Sequence, residues 1–261
     1  MTNIVYDKIG SNYNKTRCAD PYLTKRLSSL LSLKQSLHYL DVGCGTGNYT
    51  IALANCGCNF YGIEPSKIML AKATEINTNV SWALGVAEYL PLQDDFFNGC
   101  IAVLTIHLWK NLEKGFYEIF RVLKNQSKFV IFTSLPEQRE KYWLNFYFPN
   151  MLKTTSILMP NFTKIEKSLK RAGFIISEVE KYFVEKNLED LFLYSGKLNP
   201  TLYLNSEIRK GILSFAAFAD QNEVEKGVQQ LAKDIETNKI SEIIQDYKND
   251  LGDYIFIVAS K

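Results

Sequence analysis

Apolar residues fall in short runs separated by segments of a different period, and the alternation recurs along most of the chain. LHYLDV is nearly continuous in apolar character, NYTIALA spaces its apolar residues three and four apart, and NFYGIE is a second short run closed by Glu64. Strand-length runs alternating with helix-period segments predict βαβ units and an open parallel sheet. PSKIMLAKATE continues as an amphipathic helix with Ser66 placed to cap it, and Val80 to Leu84 is a third strand. Gly99 to Thr105 (GCIAVLT) is expected as a fourth strand covered on both faces, and Ser127 to Ser134 as a fifth. FTKIEKSLKRAGF reads as a helix stopped by Gly173, followed by a strand over Ile175 to Phe183, while GDYIFIVASK supplies the last strand.

Between the first run and the first helix stand Gly43, Gly45 and Gly47. Glycine lets a backbone turn tightly and approach a ligand where a Cβ would collide, and a helix starting near Gly47 aims free N–H groups at that ligand. Glu64, at the tip of the second strand, is placed to accept hydrogen bonds from ribose hydroxyls. A dinucleotide fingerprint asks for GxGxxG, but the sixth position here is Asn48. The spacing is GxGxG with Asp41 two residues ahead. A structural glycine turn in some other α/β protein is the plain alternative.

The octet LDVGCGTG, Leu40 to Gly47, resembles motif I of the class I S-adenosylmethionine-dependent methyltransferases, and YDKIGSNYNKTR resembles the opening of their type 11 and ubiquinone-methyltransferase-like groups. The resemblance implies a Rossmann-like, doubly wound sheet of seven strands, mostly parallel, with the last strand antiparallel. It implies S-adenosylmethionine as cofactor and S-adenosylhomocysteine as product. It places Tyr13 and Arg17 toward the methionine carboxylate, and Asp41, Gly43, Gly45, Thr46, Gly47 and Glu64 around the nucleoside. Pro65 and Met69 become apolar neighbours of the adenine, and Leu104 and Thr105 belong to the same crevice. GVAEYLPL resembles the family's DAExLPF loop, so Ala87 and Glu88 belong near the adenine edge, although Val86 stands where an accepting acid is usual. His107 is the one group titrating near neutrality at that crevice and is the candidate base. A hydrogen-bonded wall residue is its other reading.

Residues 136–160 are irregular and aromatic, and Tyr142, Trp143, Phe146 and Tyr147 cannot all face one core. With Trp109 they are the candidate acceptor pocket as a cluster, core packing being the other reading for any one of them. The layout expected is a helical cover over 1–36, a cofactor-binding core over 37–183 with a lid at 134–160, a helical insertion at 184–253 and the last core strand at 254–261. The insertion, longer than the usual connection, carries more acids than bases.

Composition narrows the partners. A net charge of +2 argues against a phosphate-tracking surface and hence against nucleic acid. Five scattered cysteines and no signal-peptide pattern imply a reducing cytoplasm, and Cys56 and Cys58 lack the further ligands a zinc site requires, so no metal is expected. No apolar run reaches membrane-span length. The function expected is in-line methyl transfer to a small, partly apolar acceptor by a monomer or homodimer; the alternative is a catalytically silent binding module or partner subunit.

Overall fold

The computed structural model describes residue 14 and residues 16–77 and 79–261; Tyr13 lies outside the described residues. Seven strands form one sheet: β1 (His38–Val42), β2 (Asn59–Glu64), β3 (Ser81–Leu84), β4 (Phe97–Val103), β5 (Leu123–Thr133), β6 (Ile175–Tyr182) and β7 (Tyr254–Ser260). Their order is β3-β2-β1-β4-β5-β7-β6. The first five pair in parallel, and β7 runs antiparallel between β5 and β6, with Phe132 opposite Phe256 and Ile131 opposite Ile257. The expected α/β doubly wound sheet is therefore present with its last strand reversed.

The helices begin where the sequence supplies caps. α1 (Pro21–Leu31) starts on Asp20, whose Oδ1 accepts the Leu23 N–H at 2.9 Å, and buries Leu23, Leu27, Leu30 and Leu31. α2 (Asn48–Ala54) starts directly on Gly47, and α3 (Lys67–Ile76) on Ser66, whose hydroxyl accepts the Met69 N–H at 3.3 Å. α4 (Leu112–Val122) is capped by Asn111. α7 (Phe162–Ala172) is capped by Asn161 and ends on Gly173 in the left-handed conformation, with φ 103°. Between β5 and α7 lie α5 (Pro136–Glu140), a 3-10 turn at Trp143–Phe146 and α6 (Pro149–Leu158). Between β6 and β7 lie a 3-10 turn at Pro200–Leu204, α8 (Ser206–Gly211), a π turn at Ser214–Phe218, α9 (Gln221–Glu236) and α10 (Ile240–Asp246).

Two strands, β4 and β5, are placed differently from expectation. β4 starts earlier, at Phe97, and ends at Val103 because Leu104 takes a left-handed backbone, φ 53°, that breaks the strand. β5 starts at Leu123, four residues before the expected Ser127, because Leu123 already pairs with Phe97 across a bulge, and Gln126 adopts φ 64° within the strand.

Apolar layers cover both faces of the sheet. One joins Tyr39, Phe60, Ile101 and Phe132 to α1, α2 and the 184–253 segment; the other joins Leu40, Ile63, Cys100 and Ile131 to α4 and α7. The aromatic segment belongs mostly to the first, which corrects the expected acceptor pocket. Tyr142 is stacked on Tyr194 at 4.0 Å between centroids and shares a hydrogen bond with the Tyr203 hydroxyl. Trp143 donates Nε1–H to the Lys197 carbonyl at 3.1 Å, and Tyr147 donates its hydroxyl to Asp234 Oδ2 at 3.0 Å. Phe146 is 47% exposed. A buried phenol or indole needs a partner for its polar end, and the 184–253 segment supplies all three.

Phe132 is buried and packs its ring on Tyr182, Phe192, Tyr254 and Phe256, so it ties β5 to both later strands and to the 184–253 segment. Phe132→Ala is expected to lower unfolding stability by about 3 to 5 kcal/mol in urea denaturation. A loss below about 1 kcal/mol would mean that this cluster does not support the junction.

Candidate active site

The turn after β1 is built on three left-handed glycines, with φ 81° at Gly43, 57° at Gly45 and 80° at Gly47. The Gly43 and Cys44 N–H groups both donate to the Ile63 carbonyl, at 2.8 and 3.1 Å, which ties the turn to the end of β2. A Cβ at Gly43 would come within 2.0 Å of Thr105 Oγ1, and one at Gly47 within 2.4 Å of the Trp82 ring. A side chain at either position would be strained by the left-handed backbone and would have to displace Thr105 or Trp82. Thr46 is buried and donates its hydroxyl to Asn14 Oδ1 at 2.5 Å.

Glu64 is buried at the tip of β2, where Oε2 accepts the Gly45 N–H at 3.0 Å and Oε1 accepts the Ser66 N–H at 2.9 Å. The carboxylate therefore holds the turn in place as well as facing the site. Asp41 Oδ2 accepts the Thr50 hydroxyl at 2.6 Å, while Oδ1 is enclosed with no hydrogen-bond partner among the described residues. Burial pushes its pKa up to about 7, against the hydrogen bond from Thr50 and with repulsion from Glu64 adding to the rise.

These groups open on one cavity of about 430 Å³ at the carboxyl edge of the parallel strands. Asp41, Gly43, Gly45, Thr46, Glu64, Pro65, Val86, Ala87, Glu88, Leu104 and Thr105 line it together. Gly47 and Met69 do not: Gly47 starts α2 behind the turn, and the buried Met69 sulfur sits 3.8 Å from where a Gly45 Cβ would be. Glu88 Oε1 accepts the Asn111 N–H at 2.9 Å, and Val86 presents an alkyl group at the place of the usual acid.

Arg17 lines the cavity, but its guanidinium is already paired. Its Nε and Nη2 donate to the two oxygens of Asp190, at 2.5 and 3.1 Å, and Asp190 also accepts the Tyr49 hydroxyl at 3.0 Å. His107 lines the wall after β4, and its Nδ1 is enclosed with no partner among the described residues. Burial, reinforced by the Arg139 charge, pushes its pKa down to about 3, so the ring is neutral at physiological pH.

The rest of the wall is mainly apolar: Trp109, Leu158, Met159, Ile212, Phe218 and Tyr254. Of the five expected pocket residues only Trp109 is on it. Asp190, Arg139, Tyr254 and the 212–218 stretch were not anticipated. Their one sequence signal was position, since Arg139 follows β5 and Tyr254 opens the antiparallel β7, both at the sheet edge where ligands of α/β sheets bind. Among the described residues no group of histidines, cysteines and acids could hold a metal ion, and the five cysteines are free thiols.

A glycine turn and an acid at adjacent strand tips, at the point where strand order reverses from β1, define a nucleoside-binding α/β protein. Residues 40–131 match the family described as methyltransferase domain. A crystal structure from Anabaena variabilis, described as a methyltransferase from an antibiotic biosynthesis pathway, superposes with a TM-score of 0.84 at 33% identity, covering 94% of this chain and 99% of that one. The demethylmenaquinone methyltransferase of Bacillus licheniformis is 28% identical over 75% of this chain and 87% of its own length. The sterol 4-C-methyltransferase strm-1 of Caenorhabditis elegans is 26% identical over 51% of this chain, which spans 44% of that protein. The chain belongs to the class I S-adenosylmethionine-dependent methyltransferases of the type 11 group.

The family's cofactor, S-adenosylmethionine, fits the residues present. A cationic nucleoside with two hydroxyls suits a cavity that carries Asp41, Glu64 and Glu88, and the enclosed Asp41 Oδ1 lacks a donor among the described residues. Asp41 also sets a pH dependence. Its raised folded pKa means that stability from this group is present below its unfolded pKa of 3.8 and is lost as pH rises toward 7. Asp41→Asn is expected to gain stability relative to the parent protein between pH 5 and pH 8, by an amount on the order of a few kcal/mol. Chemical denaturation at the two pH values reads the difference, and a pH-independent difference would refute the buried-charge account.

Proposed function

We propose that the protein transfers a methyl group from S-adenosylmethionine to a small, partly apolar acceptor bound in the same cavity. The observation that carries this reading is a single cavity with the glycine turn and carboxylates on one side and an apolar wall on the other. Two relatives are named for acting on a sterol and on demethylmenaquinone, acceptors with extended apolar bodies.

When bound, S-adenosylmethionine supplies a methyl group already activated on a sulfonium, so no elaborate acid–base machinery is required of the protein. Glu64 would hold the ribose hydroxyls, the Gly43–Gly45 turn would let the backbone approach, and Ala87 with Glu88 would flank the base. Trp109, Leu158, Met159 and Phe218 would orient the acceptor and exclude water. Holding reactants in a near-attack arrangement contributes roughly 7 to 11 kcal/mol in favourable cases, which is the main service this site can render. His107, neutral and with Nδ1 unpaired among the described residues, would offer a hydrogen-bond acceptor to the bound acceptor, whereas a ring whose pKa lies near 3 holds a proton too weakly to be an effective base.

Calorimetric titration with S-adenosylhomocysteine is expected to show binding. Glu64→Gln keeps an oxygen for one loop N–H but removes the charge, so it should weaken that binding at least tenfold, about 1.4 kcal/mol. Absence of binding to the parent protein would defeat the reading, and an unchanged affinity in the variant would defeat the role of Glu64. Labelled S-adenosylmethionine incubated with a metabolite extract should yield a methylated product identifiable by mass; binding without transfer would make the protein a binding module instead.

Because the His107 pKa lies near 3, the transfer rate should show no inflection from this ring between pH 5.5 and 8. An inflection in that window that vanishes in His107→Asn would contradict the enclosed, neutral ring.

A further inference from the structure

Arg139 is 7% exposed and lines the cavity, yet it has no carboxylate partner among the described residues. Its side chain makes one hydrogen bond there, from Nε to Ser134 Oγ at 3.0 Å. The structural arginine of this fold looks different. Arg121 donates to the carbonyls of Leu90 and Leu92 and pairs with Glu118 and Asp94, so its charge and its donors are both met from within the protein.

None of the four acids lining the cavity is bonded to Arg139: Asp41 Oδ2 accepts from Thr50, Glu64 holds the glycine turn, Glu88 accepts the Asn111 N–H and Asp190 pairs with Arg17. Arg139 is also on the other side. It follows β5, and β4 lies between that strand and β1, from which the glycine turn springs. His107 and Tyr254 line the same cavity, and the Ser134 hydroxyl accepts the Arg139 Nε–H. A desolvated cation in such surroundings is unfavourable until an anion enters.

We propose that Arg139 is the anion-binding residue of the acceptor site, and that the acceptor carries a carboxylate on an apolar body. That the bound anion is the methyl acceptor rests on the methyltransferase reading above. With Nε occupied by Ser134, the guanidinium presents its two terminal nitrogens as a planar fork, which matches the two oxygens of a carboxylate. A single enclosed cation balances a single negative charge. His107 is neutral, and Lys110 and Lys114 are exposed side chains on the lining, so a phosphate dianion would stay under-compensated.

Acid and amide pairs test the assignment on the intact protein saturated with S-adenosylhomocysteine: hexanoate, octanoate, benzoate and 4-hydroxybenzoate against the corresponding amides, with phenyl phosphate as a further probe. Saturation-transfer NMR and calorimetry should show at least one acid binding tenfold or more tightly than its amide and more tightly than phenyl phosphate. Arg139→Gln should abolish that preference, and Arg139→Lys should retain part of it, while all three proteins bind S-adenosylhomocysteine alike. Equal affinities of acids and amides, tighter binding of phenyl phosphate, or a preference that survives in Arg139→Gln would overturn the proposal. The acid–amide comparison on the unmodified protein decides even if a variant does not fold. Failure to bind S-adenosylhomocysteine at all would instead strike the methyltransferase reading.

Discussion

The site depends on one steric and hydrogen-bonding constraint, the closed fit of the glycine turn against its neighbouring strands. Gly43 leaves no room for a Cβ because Thr105, just past β4, occupies the space, and the Ile63 carbonyl of β2 accepts two consecutive N–H groups of the turn. Glu64 then grips the Gly45 N–H. Three adjacent strands thus meet at one short loop. A change of register in any of them would either drive a side chain into the turn or leave buried N–H groups unpaired, and both are costly. The positions of Asp41, Glu64 and Thr105 relative to one another follow from that closure, not from separate adjustments.

Enclosure also governs the charges. Asp41 and Glu64 share a cavity end with little water, and desolvation together with their mutual repulsion holds Asp41 closer to neutrality than an exposed acid. His107 is kept neutral by the same loss of water. Arg17 and Asp190 resolve the problem differently, by neutralising each other. Negative charge therefore gathers beside the glycine turn, while the buried Arg139, without a carboxylate partner among the described residues, stands beyond β5 on the other side of the sheet's switch point.

What could be read from the sequence was what is local. The apolar runs, the Ser66 cap, the Gly173 stop and the Leu40–Gly47 octet each encode their structure within a few residues, and the mostly parallel sheet with its reversed last strand followed from the family resemblance. The aromatic segment was different. Tyr142, Trp143 and Tyr147 were expected to line a pocket because they circle a helix, but Tyr203, Lys197 and Asp234 satisfy their polar ends from positions more than fifty residues away. Arg17 offered the same difficulty, since its partner Asp190 is 173 residues distant. Arg139 stands in PEQRE, a short charged stretch with no period to mark one residue out, and only enclosure distinguishes it.

The two sides of the cavity are assembled by different parts of the chain. Asp41, the glycine turn, Glu64, Ala87 and Thr105 all come from residues within the 40–131 match to the methyltransferase domain family. Most of the apolar wall comes from elsewhere: Leu158 and Met159 from the end of α6, Ile212 and Phe218 from the 184–253 segment, and Tyr254 from the start of β7. That segment is anchored independently, through Asp190 on Arg17 and Tyr49 and through Asp234 on Tyr147. Residues that contact only the wall can vary without disturbing the turn, because none of the hydrogen bonds that close the turn involves them. A chain so divided can keep the geometry of the glycine turn while the apolar wall of the cavity changes.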